Sequence, residues 1–182
     1  ERQTYDFSII PQEILGKVYE NFIGHILSGE KRTKEKEDKG KRKKEGIYYT
    51  PKYIVDYIVN NTVREYIKEK TFEEINKVKI LDPACGSGSF LLGAYDCLEE
   101  ESEKRIGRKL NYEERKNLLL NCIHGVDLDG RAVKITELCL FLRIAESGKQ
   151  LPNLKNNIQH GNSLIDDETI AKPSYTAFKW EK

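Results

Sequence analysis

The sequence predicts an α/β domain built on a doubly wound parallel sheet, and three stretches predict it. The first, Lys77-Val78-Lys79-Ile80-Leu81, alternates apolar and polar residues and then turns apolar, as a buried parallel strand does. It runs into a glycine-bearing turn and an apolar helix stripe that begins Phe90-Leu91-Leu92. The second, Cys122-Ile123-His124-Gly125-Val126-Asp127, reads as a strand ending on a carboxylate. The third, from Asn156 to Ile165, reads as a strand and its Gly161-Asn162 loop. Strands that alternate with helical patterns mark βαβ units, whose ligands gather at the carboxyl ends of the strands.

The turn after the first strand is the most informative part of the chain. Asp82-Pro83 stops the strand, and Gly86 and Gly88 permit a sharp turn with room beside the backbone. Ser89 reads as the cap of the helix that follows. A triphosphate loop needs Lys-Ser/Thr after its last glycine, but Ala94-Tyr95 follow Gly93. A dinucleotide turn needs a third glycine where Leu91 stands. What is present, Asp82-Pro83-Ala84-Cys85-Gly86-Ser87-Gly88-Ser89-Phe90, resembles the first motif of S-adenosylmethionine-dependent DNA amino-methyltransferases. The resemblance implies a Rossmann-like methyltransferase fold. It also implies that Ala84, Gly86 and Gly88 offer close-approach backbone to S-adenosylmethionine. Asp82 would order the turn and meet the cofactor's amine through water.

Composition bounds the alternatives. A chain of 182 residues can hold one full core. Charged residues make up 34%, yet the net charge is only +1, so global electrostatics neither demand nor exclude nucleic acid. No apolar run approaches the ~20 residues of a membrane span, and no signal-peptide pattern opens the chain, so a cytoplasmic protein is expected. Cys85, Cys97, Cys122 and Cys139 form no Cys-x-x-Cys pair, and His25, His124 and His160 stand singly. Reduced buried thiols and structural histidines are expected, and no metal site. The chain starts at Glu1 and contains no Met, as a fragment of a longer product would.

Before the glycine turn, three segments differ in character. Residues 1–29 read as a helical segment: Ile14, Val18, Phe22 and Ile26 recur every four residues between Ile9 and Leu27, and Gly29 ends the pattern. Ile14-Leu15-Gly16-Lys17-Val18-Tyr19-Glu20 resembles the helix before the catalytic domain in type I and type IIG modification enzymes. Residues 30–45 contain no apolar side chain and read as a charged flexible linker, with a phosphate-binding run as the alternative. Residues 46–182 then form the cofactor-binding part. There Thr50 reads as an N-cap and Pro51 as a first helical residue, with Ile54, Val55, Ile58 and Val59 as the apolar stripe and Tyr66 and Ile67 continuing it. Tyr48-Tyr49-Thr50-Pro51 resembles the motif that precedes the glycine motif in the gamma arrangement of these enzymes. That resemblance places Tyr49 and Thr50 at the methionine end of the cofactor.

After the turn, a helix is expected from Ser89 to Arg105, and Asn111 with Glu114 forms a capping pair for another. The stretch that ends in the helix through Leu118-Leu119-Leu120 lengthens the crossover and reads as an insertion on the outer surface. A carboxylate ending the second strand suits ribose hydroxyls, which selects Asp127; Asp129 is the rival and reads better as the cap of a helix over Arg131–Ala145. Resemblance places Leu128 on the adenine and Asn162 at its amino group. Asn162 reads equally well as a plain turn residue. Tyr175, Phe178 and Trp180 are isolated aromatics that read as packing groups.

The resemblance as a whole implies part of a DNA methyltransferase acting on adenine N6 in a type IIG or type I restriction-modification system. Its partner would be double-stranded DNA, with the target base leaving the duplex, and a specificity or nuclease domain or subunit would accompany it. No catalytic side chain is assigned. The family's acceptor loop, Asn-Pro-Pro-Tyr, has no counterpart here: neither Asn-Pro-Pro nor Asp-Pro-Pro occurs. The fragment alone is therefore expected to be inactive, its sheet truncated, with the last strand left as an open edge for later strands to cover. Two alternatives stay open: a methyltransferase acting on RNA or a protein amide, and a non-catalytic module binding cofactor or nucleic acid. Excising residues 30–45 should leave the melting temperature within about 2 °C, because a segment without apolar side chains adds nothing to a core. Calorimetry on the two chains checks this.

Overall fold

The computed structural model describes residues 50–170 and 177–180. The helix expected over Ile9–Leu27, the charged run Glu30–Glu45, Tyr49 and Tyr175 lie outside the described residues. Helix α1 (Lys52–Val59) passes through a wider π turn, Asn60–Arg64, into the short α2 (Glu65–Ile67). Asn61 Nδ2 and Thr62 Oγ1 donate to the carbonyls of Tyr57 and Ile58, each four residues back, at 2.7 Å. Side chains that bond these carbonyls compete with the regular backbone ladder. A capped turn, α3 (Phe72–Ile75), leads to β1 (Ile80–Asp82). Then follow α4 (Ser89–Ile106), α5 (Tyr112–Cys122), β2 (Ile123–Asp127), α6 (Gly130–Ile144) and β3 (Ile158–His160).

The three strands form one parallel sheet in the order β1-β2-β3. Ile80 pairs with Ile123 and Asp82 with Gly125, while Asp127 pairs with His160. Parallel pairing brings all three carboxyl ends to one edge, and β2 reaches two residues farther than β1 does. The chain is thus α/β, as its pattern predicts. The central strand β2 buries Ile123, Gly125 and Val126. The first strand is less covered than its pattern predicts: Leu81 is 49% exposed. Its position explains this, since β1 is an outer strand among the described residues. The open edge therefore belongs to β1 as well as to β3, where only β3 was expected to carry it.

Helices α4 and α6 both run through the core. Leu91, Tyr95 and Leu98 are fully buried, joined by Leu140 and Ile144 from α6. Gly93 lets α1 lie close: a Cβ there would stand 2.7 Å from Val55 Cγ1. Val55, Val59 and Ile67 are buried as the stripe predicts, but Ile58 and Tyr66 face solvent. Arg105 closes this corner by donating to the carbonyls of Ile67, Lys68 and Lys70 at the end of α2, at 3.1, 2.8 and 2.9 Å.

Helix boundaries depart from expectation at two caps. Thr50 does not cap α1. Pro51 occupies that place, in an extended conformation (φ −56°, ψ 143°), and its carbonyl accepts from Ile54 and Val55 N–H. Ser89 is likewise inside α4, and Gly88 occupies the cap at φ +85°. By contrast Asn111 and Glu114 form the reciprocal capping box that their spacing predicts, and Asp129 Oδ1 accepts from Arg131 N–H at the start of α6.

The stretch expected to be an outer insertion is instead part of the core. Helix α5 buries Leu118, Leu119 and Cys122, and Leu110 and Tyr112 before and at its start are buried too. Leu118 and Leu119, near the end of α5 and just ahead of β2, are wholly covered, and Leu120 is partly buried against the same core. Leu118→Ala should cost about 2–5 kcal/mol of unfolding free energy, the range for a fully buried leucine. Urea denaturation measures it, and a change within about 0.5 kcal/mol, the surface range, would return α5 to the exterior.

Candidate functional site

The site forms where β1 and β2 end. After Asp82 the chain turns through Pro83–Gly88 and stays beside β2: Cys85 N–H donates to the Val126 carbonyl at 2.9 Å. One residue on, Gly86 N–H donates to Asp127 Oδ2 at 2.7 Å. The other carboxylate oxygen, Oδ1, accepts from Asp129 N–H at 2.8 Å. Asp127 thus ties the turn after β1 to the turn after β2. An ionised carboxylate offers about four acceptor positions, so each oxygen keeps capacity for a further donor. A vicinal pair of hydroxyls would meet that capacity.

Two glycines shape the turn for different reasons. Gly86 adopts φ +53°, and a Cβ there would meet nothing within 4 Å, so its backbone borders open space. Gly88 adopts φ +85°, and a Cβ there would stand 2.8 Å from Thr136 Cγ2. The first leaves room for a ligand; the second lets α6 close in. Thr136 is fully buried, and its hydroxyl donates to the Gly86 carbonyl at 2.8 Å. Sequence reading misses this residue, because it lies on another element and a threonine in a helix carries no motif.

Asp82 accepts from Ala84 N–H at 3.0 Å and so orders the start of the turn. Burial, together with the charge of Asp127, raises its pKa above the ordinary value of 3.8, against the lowering effect of the Ala84 bond. Cys85, buried under the turn, has its thiol pushed up to about 12 by burial and then by Asp127 and Asp82. It is a packing group, held as a neutral thiol. The described cysteines are all free and buried, as expected.

The remaining predicted residues lie along the same edge. Leu128 follows Asp127 and is 56% exposed. Its carbonyl lies 2.9 Å from His160 Nε2, and since a carbonyl only accepts, that nitrogen carries the proton. Gly161 N–H donates to the Asp127 carbonyl at 2.9 Å, which sets Asn162 just past the end of β3. Asn162 Oδ1 accepts from Leu164 N–H at 3.1 Å, so it serves as a turn residue here. Residues 177–180 brace that loop: Asn162 bridges to Ala177, Phe178 N–H donates to the Ile165 carbonyl, and Trp180 Nε1 donates to the Ser163 carbonyl. Phe178 and Trp180 pack edge to face at 4.7 Å, so these aromatics pack as read. The structure therefore brings Asp82, Ala84, Gly86, Gly88, Asp127, Leu128 and Asn162 to one sheet edge. Thr50 lies outside the hydrogen bonding of this turn, before α1.

The raised pKa of Asp82 has a direct consequence for stability. Below 3.8 the carboxyl is protonated in folded and unfolded chains and contributes no difference. As pH rises past 3.8 the unfolded chain ionises first, and above the folded value the folded chain bears the whole desolvation cost. Asp82→Asn keeps an acceptor for Ala84 N–H and removes that cost. It should be more stable than the parent at pH 7, with the gap closing as pH falls toward 3.8. Paired urea titrations across pH measure the gap, and one that is absent or widens on acidification would contradict the assignment.

Comparison with known proteins agrees with this geometry. Residues 11–178 match the N-6 DNA Methylase family. The chain is 34% identical, over 91% of its length, to the type II restriction enzyme and methyltransferase RM.Eco57I of Escherichia coli. It is 33% identical, over 89%, to the putative type II restriction enzyme and methyltransferase RM.MjaORFECS2P of Methanocaldococcus jannaschii. The type I restriction enzyme MjaIX methylase subunit of the same organism is 26% identical over 93% of this chain. The matched portion covers 19%, 17% and 24% of those three proteins, so the chain spans about a fifth of their length. With the match extending over nearly all of its residues, the chain belongs to the N-6 DNA methylase family.

Proposed function

We propose that this chain is the S-adenosylmethionine-binding part of a DNA methyltransferase acting on adenine N6 in a restriction-modification system. The observation that carries the reading is the carboxylate of Asp127, which joins the glycine turn to the end of β2 and keeps acceptor capacity on both oxygens. The three strands are then the first part of a doubly wound sheet, with the ligand across their carboxyl ends. S-adenosylmethionine supplies an electrophilic methyl group on a sulfonium. Everything this chain does is binding and orientation. Asp127 accepts from the ribose hydroxyls, Gly86 opens a side-chain-free approach, and Leu128 presents an exposed apolar face to the adenine. Asn162 offers its carbonyl to the adenine amino group. Asp82, its negative charge disfavoured by burial and by Asp127, gains most from a cationic neighbour and faces the cofactor's amine through water. Tyr49 and Thr50 close the methionine end.

The DNA-facing half of the activity rests with family membership. Acceptor positioning calls for a loop such as Asn-Pro-Pro-Tyr, and no Asn-Pro-Pro occurs in these 182 residues. Misplacing the acceptor by ~1 Å can cost ~100-fold in rate, so cofactor capture alone gives no transfer. We infer that this chain binds cofactor without methylating DNA. Double-stranded DNA, and a specificity or nuclease domain or subunit, would be partners of the longer protein, in the cytoplasm.

Titration calorimetry with S-adenosylhomocysteine tests the reading. The chain should bind, and Asp127→Ala should lose about 1.5–3 kcal/mol, the range for hydrogen bonds to a charged group. Part of that loss comes from freeing the Gly86 and Asp129 N–H groups, so circular dichroism must show the variant folded. A folded variant with unchanged affinity removes Asp127 from the ribose. Radiolabelled methyl transfer to adenine-containing duplex DNA should be absent for this chain and present for a version extended through the next ~200 residues, within the size of one domain.

A further inference from the structure

Thr136 joins the two glycines of the turn and also hydrogen-bonds the Cys85 thiol beneath it. Its hydroxyl donates to the Gly86 carbonyl at 2.8 Å. Its methyl carbon fills the space a Cβ on Gly88 would need, at 2.8 Å. A threonine in a helix ordinarily bonds the carbonyl four residues back in its own helix, here that of Ala132. Thr136 instead reaches across to a loop 50 residues earlier in the chain. The side chain is fully buried, so this bond does not compete with water.

The consequence concerns the peptide between Gly86 and Ser87. Gly86, at φ +53° with nothing within 4 Å of its Cβ position, has no side chain to restrict that peptide, which sits in the turn closed by Gly88 N–H donating to the Cys85 carbonyl at 2.8 Å. A trans peptide is planar and points its C=O and N–H in opposite directions. Holding the Gly86 carbonyl toward α6 therefore holds the Ser87 N–H away from it. The N–H of Gly86 is already fixed by Asp127 at 2.7 Å. Asp127 and Thr136 thus grip Gly86 from its two sides, one through N–H and one through C=O.

We infer that Thr136 is a positioning residue for cofactor binding: it locks the glycine turn in its receptive shape before any ligand arrives. This rests on the cofactor reading above. Without the hydroxyl, the turn must be ordered at the moment of binding, and affinity falls by that cost.

The test uses the full 182-residue chain, with Thr136→Val and Thr136→Ser compared to the parent. Valine keeps the shape and removes the donor; serine keeps the donor. Two readouts are taken, amide hydrogen exchange in the ligand-free chain and calorimetry with S-adenosylhomocysteine. Thr136→Val should exchange faster at Gly86 and Gly88 N–H while Gly125 N–H, bonded to the Asn157 carbonyl, is unaltered. It should bind about three- to tenfold more weakly, the equivalent of one neutral hydrogen bond. Thr136→Ser should restore both to within about twofold, since it retains that bond. Should the valine chain not fold, Thr136→Ala removes the same hydroxyl and the same comparisons apply. Parent-like exchange and affinity in the valine chain would overturn the assignment, as would serine failing alongside valine, which would reduce Thr136 to packing. A parent chain that binds no S-adenosylhomocysteine defeats the cofactor reading and this claim's affinity together. Binding by the parent with unchanged affinity in Thr136→Val defeats the Thr136 assignment alone.

Discussion

The bond from Gly86 N–H to the Asp127 carboxylate is the constraint on which the site depends. It crosses from the turn after β1 to the end of β2 and fixes the relative heights of two βα units. Those units are separated by α4 and α5, so nothing local in the chain could set that register. Parallel pairing of β1 with β2 brings the two turns alongside, and the two-residue overhang of β2 sets Asp127 opposite Gly86 rather than opposite Asp82. The carboxylate therefore orders backbone first and has capacity for a ligand second.

Electrostatics at this edge favours a cation. Asp82 and Asp127 end adjacent strands, and the charge of Asp127 adds to burial in raising the Asp82 pKa. The charge on Asp82 is a cost to the folded chain, whereas Asp127 is held by the N–H groups of Gly86 and Asp129. A ligand bearing positive charge would offset the Asp82 cost. The neutral, buried Cys85 beneath the turn contributes shape without charge.

Packing behind the turn is tight where the ligand is not. Gly125 on β2 has Leu91 Cδ1 2.7 Å from its Cβ position, and Gly161 has Phe178 at 2.9 Å. Only Gly86, of the two turn glycines, borders open space. The scaffold is thus close-packed behind the turn at Gly88, Gly125 and Gly161, while the Gly86 backbone borders open space. Such a rigid support under a short irregular loop is how a site is held in shape without a ligand.

The sequence by itself determined the α/β class, the turn, and most of the named edge. Local chemistry suffices for these: alternating strands, a glycine pair, a carboxylate closing a strand, and an Asn111–Glu114 cap are signals carried by neighbouring residues. Tertiary structure alone decided which glycine faces space and which faces Thr136, because both read alike in the chain. It decided that Leu118 and Leu119 enter the core, where spacing along the chain had suggested an external insertion. It decided that β1 is an outer strand among the described residues, since strand order is not written in an apolar pattern. Thr136 shows the reason most plainly: its role comes from two atoms of a loop 50 residues away, and no periodicity in a sequence encodes a contact of that range.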